Sequence, residues 1–550
     1  MGRKLYYLVS VALLLVTTLC WGASTDYKVT NDGVVYAYDN IMKSGPWVDP
    51  RSYASLSAAV TAVATTKRTI AVSTELTVTA DLNIPSNITL LVFQGGKITV
   101  STSMTLTVNS TILAGPYQIF AGAGTVRFAG LCKDSYPEWW GAVRDGATND
   151  VTYIQKAIDA FKTDLPGVVH LSAGSYLIES AITIGVDNEN ITLQGMGTGE
   201  TIILIKHATA HGIDISGSST GPVRLDKVEI RDLQVTRTTY TDPSADAYGI
   251  KVYFTTNTRL EHLVVYNHRV GVYSEGTAFC IYKDVYIGGS AIGANENYGF
   301  FMASDAHGNN SLRLESCLVI SRWTGFFVYG KIVADLFMVN NETDFCKTGV
   351  YIESTEVTNN GDIHLINQIN DSCYAAGISL IGVYSANIVG GWNHVTVSDP
   401  AVATYSISIS NSMGVSVNGV TLNGSGNVGY NRGVYVNNSS SVIVANSTFQ
   451  ANEYGVVLNA TNNCLVNGNI FYNATGNTAT DHIALTGTLD SNVISNNILH
   501  GFATDGIDYA NANATHNLIH GNLVISGNIT NKIRNTGAGT GNVEADNKTS

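Results

Sequence analysis

The chain has 550 residues, of which 54 are glycine, 28 are tyrosine and only 9 are proline, and its formal net charge is −13. So acidic a chain lacks the basic surface that nucleic-acid binding requires, and it disfavours attraction of polyanions unless a local basic patch or bound cations reverse the field. Six cysteines follow the first 24 residues, too sparse for a disulfide-stapled miniprotein, and the lack of any CxxC pair argues against a zinc ribbon.

Residues 1–24 are predicted to be a secretory signal peptide. Arg3 and Lys4 give a positive start, residues 5–19 form an apolar core, and residues 22–24 give a small-residue cleavage pattern. An uncleaved membrane anchor is the alternative, although the apolar run is short for a membrane span. No later segment approaches about 20 consecutive apolar residues, so we expect a soluble, exported protein without membrane insertion after cleavage.

A small N-terminal β-helical subdomain is predicted over residues 25–135. It opens with a helix within residues 53–66, and strand-like runs such as "NITLLVFQGGKITV" at 87–100 follow. The apolar residues of this helix fall on one face: Leu56, Ala59, Val60 and Val63. The same order of helix, strand and Asn-Ile-Thr-Leu returns between residues 150 and 205, which indicates two related units.

Residues 150–161 give the clearest helix signal of the mature chain. Asp150 or Thr152 can cap its start. Four apolar residues recur at helical spacing and form one stripe: Ile154, Ala157, Ile158 and Phe161. We expect this helix to cover the open N-terminal end of a repeat stack, where backbone groups and an apolar interior would otherwise be exposed. An ordinary surface helix shows the same stripe and is the alternative.

Short strand-like repeats with Asn and Gly at their turns fill the rest of the chain. The five plainest copies end 22 to 28 residues apart: "SVNGVTL" (416–422), "VIVANSTF" (442–449), "CLVNGNIF" (464–471), "NVISNNIL" (492–499) and "NLIHGNLV" (517–524). No repeat holds enough helical residues for a βαβ crossover, and a propeller would need regular blades of roughly 40–50 residues. The pattern predicts an all-β, right-handed parallel β-helix over residues 136–535, with stacked asparagines at the turns and a flexible polar tail over 536–550.

Two of the middle repeats, 334–346 and 361–373, match at an offset of 27 residues. The offset places Asp344 beside Asp371, and Asp335 beside Asp362, about 5 Å apart on adjacent coils. Cys346 and Cys373 also align, either as a disulfide or as two buried thiols.

The aligned aspartates are candidate catalytic residues. Carboxylates that close repel each other, so one should have a raised pKa or a cation should sit between them. No motif requires a cofactor, although Ca²⁺ fits such a pair. A separation near 5–5.5 Å is also that of a retaining glycosidase. The alternative is that these aspartates are solvated turn residues.

Long insertions with aromatic and basic residues interrupt the middle coils. Their side chains could bind sugar, because aromatic rings stack on apolar sugar faces and exposed cations could bind an acidic sugar or serve as a lyase base. The candidates are Trp323, Tyr329, Arg322, Lys331, Trp392 and His394. Each could instead be a packed loop residue.

The segment "WGAVRDGATNDVTYIQKAIDA", followed by "GVVHLSAGSYLI" and "NITLQGMGTGETII", resembles the opening of the pectate-lyase-like superfamily. More narrowly, it resembles the branch that groups rhamnogalacturonases, epimerase-like lyases and phage tailspikes. The usual "TDD" is "TND" here, at the predicted helix cap. The resemblance implies an extracellular, carbohydrate-directed β-helix. The Asp-Asp pair, Gly-His-Gly and Arg-Ile-Lys of polygalacturonase-like hydrolases do not occur, so that mechanism is not assigned.

Two functions follow from these observations. The first is a secreted polysaccharide hydrolase or lyase, with a glycan-binding groove along residues 280–405. The second is a non-catalytic glycan-binding or surface-structural β-helix, such as an adhesin or a tailspike-like shaft. Both predict a polysaccharide partner, and a monomer and a homotrimer both fit.

Overall fold

The computed structural model describes residues 47–549 except 163–164, 208, 221–222, 239–246, 290–296, 305–306, 332–333, 357–360, 397–402, 425–430, 474–478, 510–512, 526–528 and 536–539. The predicted signal peptide therefore lies outside the described residues. Among the helices that are described, none combines the length and the apolar character needed to cross a membrane. The chain divides into two compact units, Met1–Gly115 with Ala121–Thr125, and Pro116–Phe120 with Val126–Ser550.

The first unit contains a short helix and parallel strands. Helix α1, Leu56–Val63, begins after Ser55, whose hydroxyl accepts a hydrogen bond from the N–H of Ala58. The predicted apolar face of α1 is largely buried, although Val60 is only half-buried. The strands are Trp47–Val48, Arg68–Val72, Glu75–Val78, Leu82–Ile84, Ile88–Val92, Lys97–Val100, Thr105–Val108 and Ile112–Leu113. Short strands Phe120–Ala121 and Thr125–Phe128 follow in the chain.

The second unit is a right-handed parallel β-helix, as the repeats predict. Every coil adds strands to two long parallel sheets, which we name sheet A and sheet B. Sheet B has one strand per coil: Ile182–Ile184, Ile213–Ser216, Tyr248–Tyr253, Val270–Glu275, Tyr298–Ser304, Thr324–Gly330, Thr348–Ser354, Ala376–Ile381, Thr404–Ser410, Asn431–Asn437, Tyr454–Asn459, Ala479–Thr486, Ala503–Asp508 and Ile529–Arg534.

Sheet A receives one long strand or two short strands from each coil. Its strands are Asp134–Ser135, Asp145–Asn149, Gly167–His170, Gly174–Ile178, Ile191–Gln194, Thr201–Ile205, Glu229–Arg237, Arg259–Tyr266, Ile281–Gly288, Leu312–Glu315, Leu318–Ile320, Ala334–Val339, Glu342–Asp344, Gly361–Ile366, Ile369–Cys373, Tyr384–Val389, Trp392–Val395, Met413–Asn418, Thr421–Gly424, Ile443–Ala445, Thr448–Gln450, Leu465–Asn467, Ile470–Asn473, Val493–Ser495, Ile498–Gly501, Leu518–His520, Leu523–Val524, Val543–Ala545 and Lys548–Thr549. Two minor strand pairs join Leu225–Asp226 to Thr255–Thr256 and Leu489–Asp490 to Ala514–Thr515.

Alternation along each strand fills the interior of the coils. In strand Gly361–Ile366, Ile363 and Leu365 are fully buried, while His364 between them faces outward. Stacked coils therefore bury continuous columns of apolar side chains, and outward residues of neighbouring coils form columns of their own.

Buried asparagines form a hydrogen-bonded ladder along the last coils, as the turn composition predicts. The side chain of Asn469 donates to Asn497, Asn497 to Asn522, and Asn522 to Asn547, at 2.9–3.0 Å. Asn497 also donates to the carbonyl of Val466 and accepts the N–H of Asn469, both at 3.0 Å. The amides thereby satisfy backbone groups at a turn that would otherwise be buried without partners.

Helix α2, Val151–Asp159, and 3₁₀-helix Pro137–Trp140 lie near the start of the second unit. The predicted apolar stripe of α2 is fully buried. Asp150 occupies the N-cap position without capping the helix, because its carboxylate accepts the N–H groups of Val143 and Arg144 at 2.8 Å each. The role of α2 as a cover for the coil stack stays a prediction.

The coils continue into the segment predicted to be a polar tail. Strand Val543–Ala545 pairs with Leu518–His520, and Lys548–Thr549 pairs with Leu523–Val524.

Candidate functional site

The two aspartates predicted to be neighbours stand in register on adjacent strands of sheet A. Strand Glu342–Asp344 pairs in parallel with Ile369–Cys373, which sets Asp344 beside Asp371. Burial raises the pKa of Asp344, and the charge of Asp371 raises it further. Oδ1 of Asp344 is buried and meets no hydrogen-bond donor in the described part of the chain. Asp344 therefore keeps its proton to a higher pH than a solvated aspartate does.

His394 on the next strand completes a polar group around Asp371. Its Nδ1 lies 3.2 Å from Oδ1 of Asp371, and the hydroxyl of Ser372 donates to the same oxygen at 3.0 Å. Trp392 stands two positions earlier on the same face and stacks on the imidazole, with ring centroids 5.6 Å apart. Three consecutive coils thus bring together a carboxyl pair, an imidazole and an indole.

Of the two basic candidates Arg322 and Lys331, one does not have the predicted exposure. Arg322 was expected to be exposed, and this was wrong: its side chain is only 1% exposed and donates to the carbonyl of Gly288. A guanidinium held inside a coil corner cannot bind a polymer at the surface. Lys331 is exposed as expected, and its Nζ lies 3.5 Å from a carboxylate oxygen of Glu356.

Trp323 is half-buried in the turn that leads into strand Thr324–Gly330. Its backbone N–H donates to the side chain of Asn297 at 2.6 Å. The ammonium of Lys347, from the next coil, lies 3.3 Å from the centroid of the indole ring. One face of this ring is therefore occupied, which leaves only the other face and the edges for a ligand.

Asp335 and Asp362 form a separate column and do not join the Asp344–Asp371 pair. Their neighbours Ala334 and Gly361 are in register, and both aspartates have a left-handed backbone, with φ of 52° and 53°. Aspartate is enriched at such positions because its short polar side chain tolerates this conformation. Their geometry is that of bend residues.

Tyr329 belongs to a set of aromatic residues on the outer face of sheet B. Tyr273, Phe301, Phe327 and Tyr351 stand in register on four consecutive coils, and we name these four the aromatic ladder. Their successive ring centroids are 5.5, 5.0 and 5.2 Å apart. All four side chains are half-buried. At about 4.8 Å per coil, the ladder is about 14 Å long.

Further rings and carboxylates border the aromatic ladder. Tyr248 stacks on Tyr273 at 4.4 Å, Tyr298 on Phe327 at 4.6 Å, and Tyr329 on Phe327 at 6.0 Å. The hydroxyls of the two ladder tyrosines donate to Glu275 and Glu353. The face thus combines apolar ring surface with hydrogen-bonding edges. A sequence signal existed, because the four ladder residues follow aligned glycines in "GVY", "GFF", "GFF" and "GVY".

Three aspartates near the end of the chain were missed. Asp481, Asp505 and Asp508 place one carboxylate oxygen each within 4.8 Å of the others, and we name them the acidic cluster. The pKa of Asp481 is raised to about 7, mainly by burial and further by the charges of Asp508 and Asp505. The overlooked signal is the repeat of Ala-Thr-Asp at 479–481 and 503–505.

All six described cysteines are buried free thiols. Burial raises the pKa of the Cys346 thiol to about 12, and the pKa of Cys373 is also raised, mainly by burial. Thiols that stay protonated to such a pH are poor nucleophiles and poor metal ligands. The two stacked cysteines therefore act as apolar filling of the coil interior.

Comparison with known structures agrees with this fold. A mutant tailspike protein of E. coli bacteriophage HK620 matches with a TM-score of 0.52 and 13% identity, over 72% of this chain and 75% of that chain. An α-1,3-glucanase catalytic unit from Streptomyces thermodiastaticus matches with a TM-score of 0.47 and 15% identity, over 76% and 69%. The open reading frame 18 protein of Geobacillus virus E2 matches with a TM-score of 0.34 and 17% identity, over 68% of this chain and 61% of that chain. At 13% identity, the tailspike match shows the fold alone.

Comparison by sequence identifies a family. No curated protein matches the chain. The family described as rhamnogalacturonase A/epimerase, pectate lyase-like, matches residues 139–378, which include α2, the aromatic ladder and the Asp344–Asp371 pair. Residues 139–378 are therefore similar to this pectate lyase-like family, and they lie within a right-handed parallel β-helix.

Proposed function

We propose that the protein is an exported glycoside hydrolase that binds a neutral polysaccharide on its middle coils. The observation that carries this proposal is the in-register pair Asp344–Asp371, joined by His394 and the stacked Trp392. Export rests on the signal peptide predicted at residues 1–24.

The environments of the two carboxyls differ in the way that acid catalysis requires. Asp344 has a raised pKa and an unpartnered buried oxygen, so it serves as the general acid that protonates the leaving-group oxygen. Asp371 accepts a hydrogen bond from Ser372 and lies 3.2 Å from His394, so its carboxyl is held in place beside Asp344. In the second half of the reaction, Asp344 returns as the base that deprotonates water.

The spacing of the pair favours retention of the anomeric configuration. In-register side chains on adjacent parallel strands start about 4.8 Å apart, close to the 5–5.5 Å of retaining glycosidases and short of the roughly 6.5–9.5 Å of inverting ones. Asp371 is then the nucleophile that attacks the anomeric carbon and forms a glycosyl-enzyme intermediate.

A neutral polymer fits the charges of this chain better than a polyuronate does. The chain carries a net charge of −13, and carboxylates of Glu275 and Glu353 border the aromatic ladder. A chain with this net negative charge repels repeated carboxylates on a polymer. β-Elimination requires an acidic sugar, so hydrolysis is the reaction that the charges favour.

The aromatic ladder also supports the second function, glycan binding without cleavage. Four half-buried rings over about 14 Å offer a stacking surface whether or not the acid pair is competent. An adhesin or tailspike-like shaft, monomeric or trimeric, would use this face alone.

A panel of neutral and acidic polysaccharides separates these functions. We expect new reducing ends from a neutral polymer, and loss of turnover by about 100-fold or more in Asp371→Asn and Asp344→Asn. The matched control is Asp335→Asn with Asp362→Asn, which changes the same residue type at the same coil spacing. Unchanged turnover in Asp371→Asn would refute the assigned pair. Binding of a polysaccharide without cleavage of any would favour the non-catalytic function.

A further inference from the structure

The acidic cluster lies on two adjacent strands of sheet B, well beyond the residues assigned above. Strands Ala479–Thr486 and Ala503–Asp508 set Asp481 beside Asp505, and Ile529–Arg534 continues this column with Asn531. A second column places Asp508 beside Arg534.

The charges of the acidic cluster are incompletely balanced. Arg534 forms ion pairs with Asp505, at 3.0 Å, and with Asp508. Asp481 is only 4% exposed and Asp505 only 1% exposed. Three carboxylates and one guanidinium leave a charge of −2 when all are ionised. Burying unbalanced charge is costly, so either a proton or a further cation must compensate.

One buried oxygen in the acidic cluster lacks a partner. Oδ1 of Asp481 is shielded from solvent and meets no hydrogen-bond donor among the described residues. Buried carboxylate oxygens are otherwise almost always hydrogen-bonded, paired or bound to metal. A cation bound at this unpartnered oxygen would take the place of the proton in balancing the buried charge.

We propose that a hard divalent cation, such as Ca²⁺, binds between Asp481, Asp505 and Asp508. The ligand oxygens lie within 4.8 Å of one another, and two oxygens on opposite sides of a Ca²⁺ ion are about 4.6–5.2 Å apart. Three carboxylates without histidine or cysteine are donors for Ca²⁺ or Mg²⁺ rather than for Zn²⁺. Asn531, whose side-chain nitrogen donates to Asp505 at 2.6 Å, would present its amide oxygen after a simple flip.

Arg534 competes with the cation for the same carboxylates. Its side chain is 42% exposed, so it can leave Asp505 and Asp508 for solvent when a cation binds. Removing its charge while keeping a polar side chain should therefore strengthen cation binding. A purely structural ion-pair cluster predicts the opposite, since loss of Arg534 would only destabilise these coils.

Calorimetric titration of the chelator-treated full chain with CaCl₂, and separately with MgCl₂, tests the proposal. We expect one saturable site, about tenfold or more weaker in Asp481→Asn, and tighter than wild type in Arg534→Gln. Asp362→Asn removes a carboxylate at an exposed bend of another coil and should bind like wild type.

Hydrogen exchange separates loss of the site from loss of the fold. The cation should slow amide exchange in residues 479–534 of the wild type, and Asp481→Asn should keep wild-type exchange elsewhere. If Asp481→Asn proves unfolded, Asp508→Asn serves as the second variant, with the same expected loss. The proposal is overturned if neither cation binds up to about 10 mM, beyond the weakest extracellular calcium sites. It is equally overturned if the aspartate variants bind like wild type, or if Arg534→Gln weakens binding.

Discussion

Replacing Asp481 with asparagine should remove a pH dependence from the stability of the last coils. Asp481 is buried between Tyr454 and Glu453 on one side and the other two aspartates of the acidic cluster with Arg534 on the other. Asparagine keeps the shape of the side chain and cannot ionise. The variant therefore isolates the free energy of ionising this one group.

The size and sign of the effect follow from the pKa of Asp481. The carboxyl has a pKa of about 7 in the folded chain and 3.8 when solvated. Because the folded pKa is the higher one, the stabilising contribution is complete below about pH 4 and is lost as pH rises to 7. A difference of about 3 pKa units corresponds to at most about 4 kcal/mol.

Hydrogen exchange resolved by peptide is the suitable assay, because coils of a repeat protein open locally rather than all at once. The ratio of exchange rates between wild type and Asp481→Asn, in peptides covering 479–508 without added cation, cancels the intrinsic pH dependence. We expect this ratio to grow between pH 4.5 and 8 by up to about 200-fold, one decade per 1.36 kcal/mol, because the solvated carboxyl is already largely ionised at pH 4.5. Asp362→Asn, at an exposed bend, should give a constant ratio. A constant ratio for Asp481→Asn would refute the buried ionisation.

Three further outcomes test the fold and the proposed site. Asn497→Ala should destabilise the coils around it by about 2–4 kcal/mol, measured by hydrogen exchange, because it leaves buried backbone groups unpartnered. Asn547→Ala, at the end of the same asparagine ladder, should lower the stability of its coil by less. Phe327→Ala should weaken polysaccharide binding in calorimetry by about three- to tenfold. Phe279→Ala, at an exposed ring outside the aromatic ladder, should leave binding unchanged. Products followed by NMR should keep the anomeric configuration of the substrate, and inverted products would contradict the assigned spacing. Turnover should fall as pH rises through the raised pKa of Asp344, because the general acid must be protonated.

The coil architecture was predictable because, in a β-helix, the spacing of the sequence repeats determines which residues of adjacent coils are neighbours. The 27-residue offset alone sets Asp344 beside Asp371, and the structure confirms that register. Turn asparagines were predictable for a similar reason, since stacked amides can bond to one another only if coils superpose. Local detail was less accessible: Asp150 stands where a helix cap is expected, yet two backbone amides of another turn bind its carboxylate instead.

The candidate site was only partly predictable, because burial cannot be read from a loop sequence. Arg322 and Lys331 both flank aromatic strands, yet one points into the coil corner and the other into solvent. The aromatic ladder and the acidic cluster were missed for a different reason. Successive ladder residues are 24 to 28 positions apart, and Asp481 is 24 positions before Asp505, so each looks unremarkable until the coils are aligned in register.

Register places like residues side by side, and the environment then decides what they can do. Asp335 and Asp362 share the coil offset of Asp344 and Asp371, but their left-handed backbone explains them as bend residues. Asp344 and Asp481 each have a raised pKa and a buried oxygen that meets no donor in the described ranges. In a β-helix, aspartates can recur at the same position of successive coils, so their spacing alone does not identify a functional site. Desolvation, which raises the pKa of a carboxyl, therefore distinguishes a candidate catalytic or binding aspartate from a solvated turn residue.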